Sequence, residues 1–350
     1  MSIRVSIRKK LSPAFTLELD FESGGGCLGI LGPSGSGKSI TLKCIAGIET
    51  PDEGLIAVDG RILFDSAKRV NLRPQERRTG YLFQNYALFP NMTVLENICA
   101  PPGAGRAGAS GWIERFGLAG LEKRYPRQLS GGQQQRAALA RMLASSPEAA
   151  LFDEPFSALD STLREYMQLQ LQELLGEREG EGVFRNAILV THNRDEVYRL
   201  CPELAVMSGG SVMVKGGTRE IFKNPRLVDA ARLTGCKNIS PVKRLSENEV
   251  FALDWGLTLR LNGSAGGITH VGIRAHDLVP AEIPRGFNEV RLSVSRTSCE
   301  PFEEVVLFTN ADAKDAAEKK EIWWKYSKYS GQSVPRRLFL PPEALLPLKQ

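Results

Sequence analysis

Long apolar runs, secretory features and strong net charge are all missing from this sequence of 350 residues. No stretch approaches the roughly 18 consecutive apolar residues that a membrane-spanning helix requires. The segment Met1–Lys10 alternates polar and apolar positions and contains neither an apolar signal core nor a small-residue cleavage site. The formal net charge is only +5, which is too weak to indicate a nucleic-acid partner and would suit an anionic membrane surface. We therefore expect a chain that stays in the cytoplasm.

Paired cysteines are missing as well. Six cysteines are scattered along the chain, and no two of them have CxxC spacing. We expect reduced and mostly buried thiols, because a free cysteine packs as a small apolar side chain. Histidine is also scarce, and we interpret His270 and His276, two of the three, as structural residues.

The residues that are present indicate a globular chain, with 42% hydrophobic and 24% charged residues and enough length for two domains. In the first two-thirds, short apolar runs alternate with helical patterns, which predicts a parallel sheet with helices on its faces. The predicted strands are Cys27–Leu31, Ala149–Phe152, Ala187–Val190 and Leu204–Met207, and a long helix is predicted over about Ser161–Leu175.

The pattern changes towards the C-terminus. Apolar residues alternate with polar ones in Leu257–Leu261 and in Val290–Val294, which predicts half-exposed strands. We therefore expect a first domain over residues 1–235 and a smaller β-rich domain over residues 236–350. A polar helix is predicted within Asp312–Tyr326, and loops are predicted at Pro101–Gly111 and Glu177–Asn186.

A phosphate-binding loop is the first chemical motif. Residues 32–39 match GxxxxGK followed by Ser or Thr without a mismatch, between the strand Cys27–Leu31 and a helix predicted over Ile40–Ala46, which Gly47 would end. Glycines let the backbone amides turn onto phosphate oxygens, and the helix N-terminus adds positive potential. Lys38 is expected to reach the β- and γ-phosphates, and Ser39 to place its hydroxyl on Mg²⁺. The predicted nucleotide contacts are Gly32, Pro33, Ser34, Gly35, Ser36, Gly37, Lys38, Ser39 and Ile40.

Two carboxylates, Asp153 and Glu154, end another predicted strand. Parallel strands that end at one edge of a sheet face the same crevice, so both side chains are expected near the phosphate loop. We predict that Asp153 helps to hold Mg²⁺, through water, and that Glu154 polarises the attacking water.

Residues Leu129–Gln133 read Leu-Ser-Gly-Gly-Gln and precede a helix predicted over about Gln133–Leu143. Ser130 is a natural N-cap, and the two glycines allow an anion to approach closely. At this point the sequence resembles the ABC ATPase family, whose signature is matched residue for residue. The resemblance implies that Ser130, Gly131, Gly132 and Gln133 contact nucleotide.

The resemblance implies further site residues. Gln84 is similar to the family's glutamine that contacts Mg²⁺ and the attacking water, and Asp160 ends a segment that crosses a dimer interface. His192 resembles the switch histidine on the γ-phosphate. Phe15 is the candidate for stacking on the adenine, although Phe21 competes for that role and core packing is the alternative.

The resemblance also implies a fold, cofactors and partners. The fold is α/β: a P-loop NTPase domain of the ABC type with a helical subdomain at about residues 85–145, followed by a small β-rich, OB-like domain. ATP and Mg²⁺ are the implied cofactors, and ATP lies between two chains paired head to tail. A chain with one nucleotide domain and no membrane span needs two transmembrane permease subunits, and indirectly a solute-binding protein. It would be peripheral on the cytoplasmic face of the membrane.

The substrate is suggested by short segments only. The C-terminal domain resembles the regulatory domain of importer ATPases for sugars, polyamines, iron, sulfate and molybdate. Within that group, segments such as Arg61–Ser66, Thr234–Asn238 and Trp323–Trp324 most resemble the molybdate and tungstate branch. We interpret the two tryptophans as one face of an amphipathic helix packed on the sheet. Molybdate is the expected substrate, with sulfate second and polyamine or iron as outside alternatives.

Other classes of protein fit the sequence less well. Soluble ABC ATPases that act on ribosomes or DNA typically carry two nucleotide domains or long coiled-coil insertions, and this sequence shows neither. A non-enzymatic regulator is disfavoured by the intact Lys38, Glu154 and His192. An exporter subunit is disfavoured by the C-terminal domain.

Overall fold

A computed structural model describes residues 2–102, 104–157, 159–176, 184, 186–281, 286–313 and 320–350. The chain forms two compact units, Met1–Arg219 and Glu220–Gln350. The units divide earlier than the predicted boundary at 235/236, because Val228 and Ala231 of a short helix pack with Cys236, Leu346 and Leu348 of the second unit. Within the described residues, no helix is long and apolar enough to span a membrane.

The first unit contains one 11-stranded mixed sheet. Its strands are β1 (Ile3–Ser12), β2 (Phe15–Glu22), β3 (Gly26–Leu31), β4 (Glu53–Val58), β5 (Arg61–Asp65), β6 (Val70–Asn71), β7 (Thr79–Leu82), β8 (Ala149–Asp153), β9 (Asn186–Thr191), β10 (Glu203–Ser208) and β11 (Ser211–Gly217). Its helices are α1 (Lys38–Ala46), α2 (Val94–Cys99), α3 (Arg106–Arg115), α4 (Gly131–Ala144), α5 (Ser161–Leu175) and α6 (Arg194–Leu200).

The parallel part of this sheet runs in the order β10-β3-β9-β8-β7. Strands β8 and β9 are buried along their whole length, which is why they read as continuous apolar runs in the sequence. The four predicted strands and the helix Ser161–Leu175 are confirmed. The antiparallel part around β1, β2 and β4 was not predicted. Its β1 strand alternates buried Ile3, Val5 and Ile7 with outward polar residues.

The predicted loop Pro101–Gly111 is wrong over its second half, where helix α3 begins at Arg106. Glycine disfavours helix, but Ala109, Ile113 and Phe116 are buried at helical spacing, and this packing outweighs the local preference. Almost all of the predicted loop Glu177–Asn186 lies outside the described residues. Asn186 itself begins β9.

The second unit is β-rich, as predicted. Helix α7 (Thr218–Lys223) runs across the boundary between the units, and α8 (Val228–Leu233) then precedes two five-stranded antiparallel sheets. One sheet contains β12 (Asn238–Arg244), β13 (Glu249–Ala252), β14 (Leu257–Arg260), β15 (His270–Ile273) and β21 (Leu346–Leu348). The other contains β16 (Val279–Pro280), β17 (Glu289–Cys299), β18 (Glu303–Asn310), β19 (Ile322–Ser327) and β20 (Arg337–Phe339).

The helix predicted within Asp312–Tyr326 is wrong at its C-terminal end, where β19 pairs with β18. Residues 314–319 lie outside the described part of the chain. Ile322 and Trp324 are both buried at a spacing of two, so the apolar period is that of a strand. Trp323 instead packs against Lys237, whose ammonium lies 4.0 Å from the centre of the Trp323 ring. The two tryptophans therefore do not form one helical face.

A buried arginine, Arg77, anchors the C-terminal end of α1. Its side chain is 0% exposed. The guanidinium donates to the carbonyls of Cys44, Ile45 and Leu72 at 2.7, 2.9 and 2.9 Å and to the amide oxygen of Asn71 at 2.8 Å. Gly47 ends the helix with a φ of 78°, and a Cβ there would lie 2.5 Å from Arg77 Nε. The negative end of the helix therefore compensates a buried cation.

We expect Arg77→Met to lower the free energy of unfolding by about 3 kcal/mol or more, because several buried carbonyls lose their donor. Urea denaturation followed by circular dichroism measures this change. The matched control is Arg78→Met, since Arg78 is 72% exposed and pairs with Glu148 at 3.1 Å at the surface. It should cost less than about 1 kcal/mol. Equal losses in the two variants would contradict the anchoring role.

Candidate nucleotide-binding site

The phosphate loop turns between β3 and α1 with its backbone pressed against a neighbouring strand. Gly35 and Gly37 have φ values of 80° and 102°, which a residue with a side chain adopts only with strain. A Cβ on Gly32 would lie 2.3 Å from the carbonyl oxygen of Met207. Ser36 is 3% exposed, and its hydroxyl has no partner among the described residues. The loop thus forms a cradle that contains an unpaired buried polar atom.

Lys38 supplies a positive charge inside this cradle. Its ammonium donates to the carbonyls of Gly32 and Pro33, both at 2.9 Å, and the side chain is 5% exposed. Burial lowers the pKa of the Lys38 ammonium, and the carboxylates of Glu154 and Asp153 oppose part of that shift. The charge is therefore desolvated and held by the loop itself.

Asp153, at the end of β8, is the meeting point of two elements. Ser39 Oγ donates to its Oδ1 at 2.7 Å, and Tyr81 Oη donates to its Oδ2 at 2.8 Å. Burial, followed by the charge and the hydrogen bond of Asp153, raises the pKa of the Tyr81 hydroxyl far above its usual range. The carboxylate and the Ser39 hydroxyl are the hard oxygen donors that Mg²⁺ prefers.

Glu154 follows directly and is turned away from the strand by an unusual backbone. Its φ is 46°, in the left-handed region, while its amide still donates to Val190 at 2.9 Å. One carboxylate oxygen lies 3.2 Å from His192 Nδ1. The His192 ring is 57% exposed and the Glu154 side chain 18%. The structure therefore brings the predicted base and the predicted switch histidine into direct contact.

Phe15 lies beside the cradle, and Gln84 follows the strand next to β8. Gln84 is exposed in the turn after β7, which runs parallel to β8 with Leu82 opposite Phe152. The Phe15 ring lies 3.6 Å from the position of a Cβ on Gly37, whereas Phe21 is 5% exposed within the sheet core. Of the two aromatic candidates, only Phe15 is beside the phosphate loop.

The signature residues lie apart from these groups, at the start of α4. Ser130 Oγ accepts from the Gln133 amide at 3.3 Å, and Gln133 Oε1 accepts from the Ser130 amide at 2.9 Å. Gly131 is exposed, and a Cβ there would meet nothing within 4 Å, while a Cβ on Gly132 would lie 2.3 Å from Leu163. Asp160 caps α5 by accepting from Leu163 at 2.9 Å. Within the described chain, these hydrogen bonds stay local and do not reach the phosphate loop.

Three further residues near the site, Tyr81, Thr191 and Glu196, match no motif in the sequence. Glu196 is 4% exposed and accepts from Thr191 Oγ1 at 2.6 Å, and burial raises the pKa of its carboxyl. Together with Arg164 it lines a small cavity of about 70 Å³ beside Glu154 and His192. The only signal in the sequence was a polar residue inside or after an apolar strand, which is too common to select a residue.

The donor set fits a nucleotide and a magnesium ion. The unpaired Ser36 hydroxyl, the glycine backbone and Lys38 suit phosphate oxygens. The described residues contain no group of three or more His, Cys, Asp or Glu that could hold a metal alone. An ion held by Ser39 and Asp153 would therefore need phosphate or water oxygens to complete its ligands, as Mg²⁺ commonly does.

Comparisons with known proteins agree with this geometry. A family model described as ABC transporter matches residues 16–157. The sulfate/thiosulfate import ATP-binding protein CysA 1 of Rhizobium meliloti (strain 1021) is 38% identical over 311 residues, which cover 85% of this chain and 86% of the relative. The spermidine/putrescine import ATP-binding protein PotA of Roseobacter denitrificans is 38% identical over 288 residues, covering 79% and 74%.

A solved structure is similar too. The ATP-binding cassette MJ0796, a dimer in a post-hydrolysis state bound to ADP and Pi, aligns with a TM-score of 0.52 and 29% identity over 63% of this chain and 99% of that one. The fold and the site thus define a P-loop ATPase. The chain belongs to the family of ABC transporter ATP-binding proteins. The predicted fold class, the ATPase class and ATP as ligand are confirmed at this level.

We expect Gly32→Ala to weaken nucleotide binding by about tenfold or more, because the new methyl group would have to displace the Met207 carbonyl and deform the cradle. Titration with a fluorescent ATP analogue measures the affinity. The matched control is Gly111→Ala in α3, where a Cβ meets nothing within 4 Å. That variant should bind nucleotide normally, and equal weakening by both substitutions would contradict the steric argument.

Proposed function

We propose that this chain is the ATP-binding subunit of an importer of a tetrahedral oxyanion, with sulfate or thiosulfate as the substrate. The observation that carries this proposal is the similarity to CysA 1, which extends over 85% of the chain and therefore reaches into the second unit. Short segments of the sequence predict molybdate as the substrate, with sulfate second. The relatives found carry the names of sulfate/thiosulfate and spermidine/putrescine importers, so they support the alternatives better than molybdate.

Molybdate or tungstate stays the second candidate. It is favoured only by the resemblance of short segments, such as Arg61–Ser66 and Thr234–Asn238, to that branch. Polyamine is the third candidate because of the similarity to PotA. In the proposed OB-like role, the second unit regulates the pump and a separate solute-binding protein selects the anion.

In the proposed reaction the backbone of the phosphate loop and Lys38 hold the phosphates. Ser39 and Asp153, with Gln84 in the turn after the neighbouring strand, would hold a magnesium ion, whose charge would neutralise developing negative charge. Glu154 orients the attacking water and takes its proton, and His192 contacts the γ-phosphate and steadies Glu154 through their 3.2 Å contact.

The second half of the site is proposed to come from another copy of the chain. Ser130, Gly131, Gly132 and Gln133 would meet ATP held by the partner, and Asp160 would lie at the interface. Support comes from the local hydrogen bonds of the α4 cap and from the exposure of Gly131, which leave that helix end available to an external anion. Phe15 beside Gly37 would stack on the adenine.

Two transmembrane permease subunits are the proposed membrane partners, and the chain would lie at the cytoplasmic face of the membrane. A groove of about 1030 Å³ in the first unit is lined by aromatic and basic side chains, including Tyr81, Phe83, Phe89 and Arg141. Phe83, which lines this groove, directly precedes Gln84 in the chain. A permease segment bound in the groove would therefore change the position of Gln84 at the nucleotide site.

We expect Glu154→Gln to lower ATP turnover at least about 100-fold, because the amide cannot take the proton of the attacking water. The variant should still form an ATP-dependent dimer, which size-exclusion chromatography with ATP and Mg²⁺ detects. Glu247→Gln, at an exposed position of the second unit, is the control and should hydrolyse ATP normally. ATP turnover by Glu154→Gln at the native rate would show that the base is another residue.

We expect cells that lack this chain to lose uptake of labelled sulfate, and wild-type chain but not Glu154→Gln to restore it. Cellular molybdenum, measured by elemental mass spectrometry, and labelled spermidine uptake are followed in the same cells. Loss of molybdenum alone would transfer the proposal to the molybdate branch, and loss of spermidine uptake alone to the polyamine branch.

A further inference from the structure

The carboxylate of Asp153 is held from two sides, and only one of its two partners belongs to the phosphate-loop helix. Ser39 Oγ donates to Oδ1 at 2.7 Å, and Tyr81 Oη donates to Oδ2 at 2.8 Å. Asp153 is only 6% exposed, so its carboxylate is largely removed from bulk water. Both bonds therefore contribute to fixing the orientation of this carboxylate.

The position of Tyr81 follows from the strand register. Tyr81 lies opposite Leu151 in the parallel pair of β7 and β8, so its side chain emerges on the same face as Leu151 and Asp153. Asp153 is two residues further along, roughly 6.6 Å away along the strand. The centre of the Tyr81 ring lies 4.3 Å from that of Phe83, and the ring packs against the sheet core, which limits its freedom to swing away.

We propose that Tyr81 is a positioning residue that fixes the rotation of the Asp153 carboxylate for the magnesium ion, an inference that rests on the metal role given to Asp153 above. The hydrogen bond from Tyr81 occupies Oδ2 and leaves Oδ1 directed at Ser39. Ser39 Oγ can then offer a lone pair to the ion while its proton stays in the hydrogen bond to Asp153. Without the tyrosine hydroxyl, the carboxylate can rotate and its outer oxygen lacks a partner.

Loss of a residue that hydrogen-bonds to a metal-ligating side chain typically lowers metal affinity 10- to 100-fold. We therefore expect Tyr81→Phe to weaken Mn²⁺ binding to the chain loaded with stoichiometric ADP by about tenfold, measured from the free-ion EPR signal. ADP binding in the presence of EDTA should stay unchanged, and a purely structural defect would not leave it so. Circular dichroism checks that the variant is folded.

The chain offers a matched control in Tyr86→Phe. Tyr86 is 5% exposed and follows β7 as well, but its hydroxyl has no hydrogen-bond partner among the described residues. This control should bind Mn²⁺ like the wild type. A Tyr81→Phe variant with wild-type Mn²⁺ affinity, or with equal loss of metal-free ADP binding, would overturn the proposal.

Asp153→Asn separates this proposal from the function on which it rests. If Asp153→Asn abolishes Mn²⁺ binding while Tyr81→Phe leaves it at the wild-type value, Asp153 keeps its metal role and only the inference about Tyr81 is wrong. If neither substitution affects Mn²⁺ binding, the metal role of Asp153 is wrong, and the inference about Tyr81 fails with it.

Discussion

The candidate site depends on one constraint, the parallel register of β3, β9, β8 and β7. Leu31 lies opposite Thr191, Val190 opposite Asp153, and Phe152 opposite Leu82, so each strand ends within one residue of the end of its neighbour. Each strand is followed by a different chemical group: the phosphate loop, His192, Glu154 and Gln84. A slip of one residue in any pair would turn an aligned side chain to the opposite face of the sheet. The apolar strand interiors resist such a slip because they are buried.

The helix α1 is fixed at both ends by quite different means. At its N-terminus the glycine backbone leaves room for an anion, and at its C-terminus the buried guanidinium of Arg77 bonds to the last carbonyls. Among the described residues, only neutral oxygens accept hydrogen bonds from Arg77, so its charge is balanced by these oxygens and by the helix dipole. Arg77 also lies just before β7, the strand that carries Tyr81. Helix α1, which carries Ser39, and the segment that leads into β7, which carries Tyr81, meet at Asp153. They are therefore connected a second time, by Arg77 at the C-terminal end of α1.

Sequence patterns predicted those parts of the fold whose cause is local. The phosphate loop has its own glycine spacing, β8 and β9 are continuous apolar runs, and α5 has a strong helical period, and all of these were found. Helix α3, the antiparallel strands around β1 and the strand β19 were missed or misassigned, because the packing of Ala109 or the pairing of Trp324 with β18 is decided by distant residues. In the site, the contacts between side chains from different elements could not be predicted from the sequence either. Nothing in the spacing of Tyr81 and Asp153 reveals that they share a hydrogen bond.

The two halves of the proposed site differ in how complete they are within one chain. The α4 cap closes on itself through Ser130 and Gln133, so its geometry does not depend on a ligand. The phosphate loop instead contains the buried, unpaired Ser36 hydroxyl and a desolvated Lys38, which are costly arrangements that phosphate oxygens would relieve. Nucleotide is therefore expected to bind first to the phosphate loop of one chain, and the preformed cap of the second chain then adds its contacts. In the proposed dimer this order would make closure a consequence of nucleotide binding, because the cap would gain a ligand only when the loop opposite already holds one.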